Sequence, residues 1–206
     1  MSKMKYTQKM FPMALLISFL VSYACNAQIE LDQQSGLNDN AQLESMQLQK
    51  QASLKIKEFA GTLKQTLMSA INSGELSDGI AVCHLQAPEI ASVLSVDGWI
   101  IKRTSLKTRN SHNQPDEWEK SILNQFQAQY ESGQAIDDLV ISSVENKQFR
   151  LMKAIPTGSV CLGCHGSNID PTTRKKLNAL YPNDKAIGFN IGALRGAFSV
   201  QKSIIE

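Results

Sequence analysis

The run Cys161-Leu162-Gly163-Cys164-His165 constrains this 206-residue chain more than any other feature. Two thiols one helical turn apart, followed at once by an imidazole, form the C-x-x-C-H pattern of covalent haem attachment. The thiols add across the two vinyl groups of the porphyrin, and the histidine is placed to bind the iron. A fold built around this pentapeptide must therefore hold a large flat group and bring other side chains to its far face.

Competing readings use fewer of the residues. A structural zinc site needs a second Cys/His pair at ligand spacing. Outside the pentapeptide the cysteines and histidines are Cys25, Cys83, His84 and His112, and none makes a second C-x-x-C. A thioredoxin-type pair expects a strand and a βαβ setting, whereas Pro156-Thr157-Gly158 breaks the extended approach here. A disulfide inside C-x-x-C leaves His165 without a role.

The amino terminus agrees with extracytoplasmic maturation. Lys3, Lys5 and Lys9 precede an apolar run from Phe11 to Val21, too short to span a bilayer, and small residues follow. Residues 1–27 are read as a signal peptide cut near 24–27, which makes the mature protein periplasmic. Cutting before Cys25 would instead leave an acylated cysteine and a membrane-anchored lipoprotein. Loss of residues 1–24 removes three lysines and no acids, leaving 18 basic against 19 acidic residues and a net charge of −1. There is no basic patch of the kind nucleic acid requires.

Residues 28–41 are polar and read as a tether, with residues 42–206 as a single haem domain. From Ala41 to Ser73 apolar residues recur at helical spacing, with Gly74 as the stop. A second helix runs through Leu76, Ile80, Cys83, Ala87 and Ile90, disturbed by Pro88. Trp99 to Thr104 reads as a strand. Asp116 and Glu119 form a capping box for a helix carrying Trp118, Ile122, Leu123, Phe126 and Tyr130, closed by Gly133. Leu139–Val144 and Phe149–Ile155 read as a hairpin joined near Asn146. Asp170-Pro171 opens a short helix stopped by Pro182, and Ile187–Ser199 reads as two short strands with close backbone approach at its glycines. Helices first and antiparallel strands later give an α+β fold. Trp99 and Trp118 are expected as core aromatics.

Small cytochromes carry the attachment motif early and a ligand methionine late; this order is reversed here. The 41 residues after His165 contain no Met, His or Cys, so a second axial ligand of ordinary type lies upstream of Cys161. Cys83, His84, His112, Met68 and Met152 are the candidates. Cys83 lies on the apolar stripe of its helix, and His84 is rotated about 100° from it on an ideal helix. A free cysteine on such a stripe is equally a small buried hydrophobe. Met68 and Met152 suit a core, and His112 sits in a polar loop.

Four stretches carry a resemblance: Ile80 to Ala91; Lys102 to Asn110, continuing to Asn113, Pro115-Asp116 and Trp118-Glu119; Cys161 to Gly166; and Gly188 to Val200 with Arg195-Gly196-Ala197. They resemble the single-haem c-type domain of PAS-like fold, which also serves as the extracytoplasmic sensor part of bacterial histidine kinases. The resemblance spans roughly residues 55–203. It implies a PAS-like antiparallel sheet flanked by helices, one covalent haem c, and axial ligation by His165 and the Cys83 thiolate. The family usually has proline where this chain has Ser111, and often an acid at Ala193.

Haem carries two propionates, and guanidinium pairs with carboxylate in a bidentate way. Arg103 and Arg109, with Lys102 or Lys107, are candidates for that contact; a solvated strand edge is the plain alternative. The chain is expected to be a redox or diatomic-gas sensor, with a labile Cys/His-ligated iron that takes CO or NO on reduction. The alternative is a periplasmic electron-transfer cytochrome. A peroxidase would need acid–base groups such as His84 or His112 over an open site, and no enzyme activity is expected. Expected partners are haem and a separate redox or signalling protein, with the chain acting singly or as a dimer.

Overall fold

The computed structural model describes the backbone of residues 14–204 and the side chains of residues 39–204. The chain divides into two units, residues 1–46 and 47–206. Lys3, Lys5 and Lys9 lie outside the described residues, as does the side chain of Cys25. Among the described residues no helix is long and apolar enough to cross a membrane.

Helix α1 runs Ala14–Ser73. The 28–41 stretch, expected as a polar tether, is therefore helical. No proline interrupts it, and a helix already nucleated propagates through polar residues at little cost. Past residue 47 the helix presents Leu48, Ala52, Ile56, Phe59 and Leu63 to the core, the spacing the sequence displayed.

Four antiparallel strands form one sheet in the order β1-β4-β3-β2, with β1 Trp99–Thr104, β2 Val140–Glu145, β3 Gln148–Pro156 and β4 Leu194–Ser203. The fold is α+β. Asn146 and Lys147 both have positive φ (52° and 57°), as a tight two-residue hairpin turn demands. One sheet face carries the rows Trp99–Lys202–Phe149 and Ile101–Val200–Leu151, packed under α1 and under α3 (Ala87–Leu94). The other face carries Met152, Ala154 and Ala197 against α4, Glu117–Glu131. The two central strands, β3 and β4, alternate between the two cores, as a period of two requires.

The capping box on α4 forms as expected. Asp116 Oδ1 accepts from the Glu119 amide at 2.8 Å, and Glu119 Oε2 accepts from the Asp116 amide at 3.0 Å. Glu119 is fully buried and also takes the Lys102 ammonium at 2.9 Å. Trp99 is buried in the first core, and Trp118 packs on the second with Arg150 over its ring at 4.3 Å.

One expectation is corrected, and a second gains detail. Ile187–Ser199 supplies one strand, not two. Gly188 and Gly192 sit at φ 74° and 77°, so residues 187–193 turn instead of pairing, and β4 begins at Leu194. The helix expected through Leu76 to Ile90 is present from Asp78, running without a break through α2 (Asp78–Ala81), a π turn (Val82–Gln86) and α3. Pro88 explains the π turn. It has no N–H to give the His84 carbonyl and its ring would clash there, so the turn before it widens and the Ala87 amide reaches back to Val82.

Candidate haem site

A third small core places the site. Ile80 from α2, Ile169, and Leu177 and Tyr181 at the end of α6 (Pro171–Leu180) are buried together, with Cys164 and Ile187 against them. This cluster draws the segment bearing Cys83 and the C-x-x-C-H turn to a common centre. Two glycines permit the approach. A Cβ on Gly79 would stand 2.8 Å from Leu67 Cδ1, and one on Gly163 would stand 2.6 Å from Leu76 Cδ2.

Cys161, Leu162, Gly163, Cys164 and His165 form a single tight turn, with Leu162–His165 (α5) helical. Both thiols are free and half-buried, as is Cys83. Burial raises the Cys164 thiol above its ordinary value; Arg109 opposes this, and Cys83 and Cys161 add to it. His165 Nδ1 lies 2.7 Å from the Ala186 carbonyl oxygen. A carbonyl only accepts, so Nδ1 carries the proton and the Nε2 lone pair is available to a metal. Burial, reinforced by Arg195, Arg109 and Arg103, pushes the His165 pKa down to about 2. The ring is therefore neutral, the form that ligates iron.

A cavity of about 910 Å³ opens beside this turn, within the ~300–1,000 Å³ range of cofactor pockets. Cys83, His84, Phe59, Arg103 and Tyr181 line it. Cys161, Cys164 and His165 are not in its wall. Arg109 and Tyr181 link the two: both line the cavity, while Arg109 donates to the Cys164 carbonyl and Tyr181 belongs to the small core against which Cys164 packs. Cys83 lies close enough to influence the ionisation of Cys164, Tyr181 and Arg195.

Cys83 and His84 both line this cavity, an arrangement compatible with the expected offset of neighbouring residues on a helix. His84 is tied to Tyr181, with Nδ1 3.0 Å from the phenol oxygen and the rings edge to face. His112 sits on a 3-10 turn at the rim, exposed, with Nδ1 3.0 Å from Asn110 Oδ1. Met152 is fully buried in the core on the other sheet face, away from the cavity; Met68 is half-buried on α1.

Three of the four basic candidates, Lys102, Arg103 and Arg109, line the cavity. Arg103 lies in the wall, over the Phe59 ring at 5.9 Å. Arg109 is paired with Asp184 at 3.0 Å, both largely buried. Lys102 reaches Glu119. Lys107 donates to the Ile187 carbonyl and belongs to a separate, smaller cavity. Sequence reasoning gave no role to Arg195, Tyr181, Asp184 or Ala186. Arg195 stood in plain view in Arg195-Gly196-Ala197; the others had no signal, since their roles arise only from packing. Burial, then Arg103 and Arg109, bring the Arg195 pKa down to about 10.

The donor set fits a haem. It offers two free thiols one turn apart, a neutral histidine with a defined tautomer, and a thiol on the facing segment. Three guanidiniums crowd the neighbourhood of His165 with Asp184 as the carboxylate paired among them, which suits a group bearing two carboxylates. Among the described residues no cluster of three or more His, Cys, Asp or Glu is arranged to hold a bare metal ion.

The sequence model of the Tll0287-like family matches residues 29–203. The chain belongs to the Tll0287-like family. The match takes in the segment of Cys83, the C-x-x-C-H turn and β4, and it begins inside the stretch expected as a tether. Among solved structures, the crystal structure of the cyanobacterial heme-protein Tll0287 is similar. It is 26% identical with a TM-score of 0.53, and the match covers 74% of this chain and 94% of that one. No curated protein matches.

Proposed function

We propose that this Tll0287-like chain is an exported, periplasmic mono-haem c-type cytochrome acting as a redox or diatomic-gas sensor. In this reading Cys161 and Cys164 would hold the haem covalently, and His165 and Cys83 would be the residues that bind its iron. The observation that carries the reading is the 2.7 Å contact of His165 Nδ1 with Ala186. It leaves Nε2 as a neutral donor beside two free thiols and a cavity that Cys83 faces. The family and its haem-protein neighbour support the same cofactor.

Haem bound there supplies a one-electron couple and, where an axial position opens, a site for CO or NO. The chain's residues set how that chemistry is used. A Cys83 thiolate donates charge and favours ferric iron, which lowers the potential. Cys83 sits on a π turn, where backbone pairing is one residue out of step. Such turns concentrate at functional sites. Arg103, in the cavity wall without an acidic partner among the described residues, is suited to a propionate. The PAS-like character of the sheet and a separate signalling partner belong to this reading, as does the absence of enzyme activity.

Intact mass of the protein secreted from a host with haem-attachment machinery tests attachment: one haem on the chain cut near 24–27, or on an acylated chain beginning at Cys25. Addition of CO to the reduced protein tests the sensor role. A new Soret position supports it. An unchanged spectrum across the pH range removes it and favours the electron-transfer alternative.

A further inference from the structure

Arg109 and Asp184 make a closed arrangement around one peptide unit. Asp184 Oδ1 accepts from the Ala186 amide at 2.8 Å. Its other oxygen, Oδ2, accepts from Arg109 Nε at 3.0 Å. The Arg109 NH2 group donates to the Cys164 carbonyl at 2.6 Å and to the Ala186 carbonyl at 3.3 Å. That Ala186 oxygen is the one that accepts from His165 Nδ1. The ion pair is sealed, with 9% and 8% of the two side chains exposed, and Arg109 also lies over the Tyr181 ring at 6.0 Å.

We infer that Arg109 and Asp184 are positioning residues that set the strength of the His165 Nδ1 hydrogen bond through the Ala186 peptide, and with it the donor power of Nε2. The inference rests on the haem reading above and deepens it. It gives Arg109 a task beside that of binding a propionate: Nε and Nη2 are engaged by Asp184 and two carbonyls, and Nη1 is left toward the cavity that Arg109 lines.

The physics is that of an outer-shell partner. A histidine whose Nδ1 proton is pulled toward a strong acceptor becomes a more basic ligand through Nε2. The Arg109 guanidinium draws on the same carbonyl oxygen, so it weakens that pull. Asp184 limits the guanidinium charge and fixes the peptide from its N–H side. Removing Arg109 should strengthen the His165–Ala186 bond and lower the reduction potential. Neutralising Asp184 should leave a bare buried guanidinium and raise it.

The test compares midpoint potentials and ferric magnetic-resonance spectra of the haem-loaded wild type, Asp184→Asn and Arg109→Lys. Asp184→Asn is isosteric and keeps an oxygen for the Ala186 amide. The expected result is a rise of about tenfold in the reduced-to-oxidised ratio at fixed potential, ~59 mV for one electron. Arg109→Lys keeps the charge and loses the fork, so it should shift the spectrum of the histidine ligand while moving the potential less. Arg109→Gln, if it folds, should move the potential the opposite way from Asp184→Asn. Potentials and spectra unchanged in Asp184→Asn and Arg109→Lys, on protein that carries haem, would overturn the clamp and leave the haem reading standing. Wild-type protein without a Soret band would sink both.

Discussion

Gly79→Ala is the most telling perturbation of how the site is assembled. Gly79 is buried on α2 with ordinary helical φ, pressed on α1. An added methyl would lie 2.8 Å from Leu67 Cδ1 and 3.2 Å from Ile71 Cγ1. Replacing a helical glycine by alanine gains about 0.5–1 kcal/mol. Forcing a methyl into a packed seam costs about 1–3 kcal/mol. The two ranges combine to a net loss between about zero and roughly 2.5 kcal/mol. The loss falls toward the lower end because the atoms met first are side-chain ends that can shift, and so amounts to at most a few degrees of Tm for a chain of this size. Leu67→Ala removes the nearest contact, so in that background the same substitution should become neutral or stabilising, a change of sign at one site. Urea unfolding of the two singles and the double, at constant m-value, measures the coupling. An equal effect of Gly79→Ala in both backgrounds would refute the claim that α2, and Cys83 behind it, is seated by this contact.

Three further outcomes follow from the packing. Glu119→Ala strips a fully buried carboxylate from Lys102 and from the α4 cap; because Lys102 is partly exposed and can be hydrated, the loss should be about 1–3 kcal/mol in denaturant unfolding. Burial alone would raise the Asp116 carboxyl, but the Glu119 amide and Arg150 outweigh it and hold the group below its usual range. Its stabilisation is full above the unfolded value of about 3.9 and is lost as pH falls through the lower folded value; Asp116→Asn should flatten acid unfolding in that window. The Tyr181 phenol is pushed up to about 12 by burial and then by Cys83, with Arg109 and Arg103 opposing. Its stabilisation is present below about 10 and is lost as pH rises toward about 12. An ultraviolet titration should show one late tyrosine that disappears in Tyr181→Phe.

The local elements were legible because each depends on a few neighbouring residues. The α1 stripe from Leu48 to Leu63, the Asp116–Glu119 box and the Asn146 turn all stand where their chemistry placed them. The C-x-x-C-H turn was legible for the same reason. One signal was read in part and another misread. Pro88 was seen as a disturbance and is one, but the form it takes, a π turn, depends on how the freed carbonyl is accommodated. Glycines 188 and 192 looked like strand spacing and are positive-φ turns. The Arg109–Asp184–Ala186–His165 set could not be read at all. Arg109 and Asp184 are 75 residues apart in the chain, and the sheet and α6 bring them together.

The ferric magnetic-resonance spectrum of the haem-loaded protein, with and without Cys83→Ser, tests the central claim most directly. A low-spin thiolate signal in the wild type that is lost in the variant is the expected result. Identical spectra from the two proteins would contradict ligation by Cys83 and the site built around it.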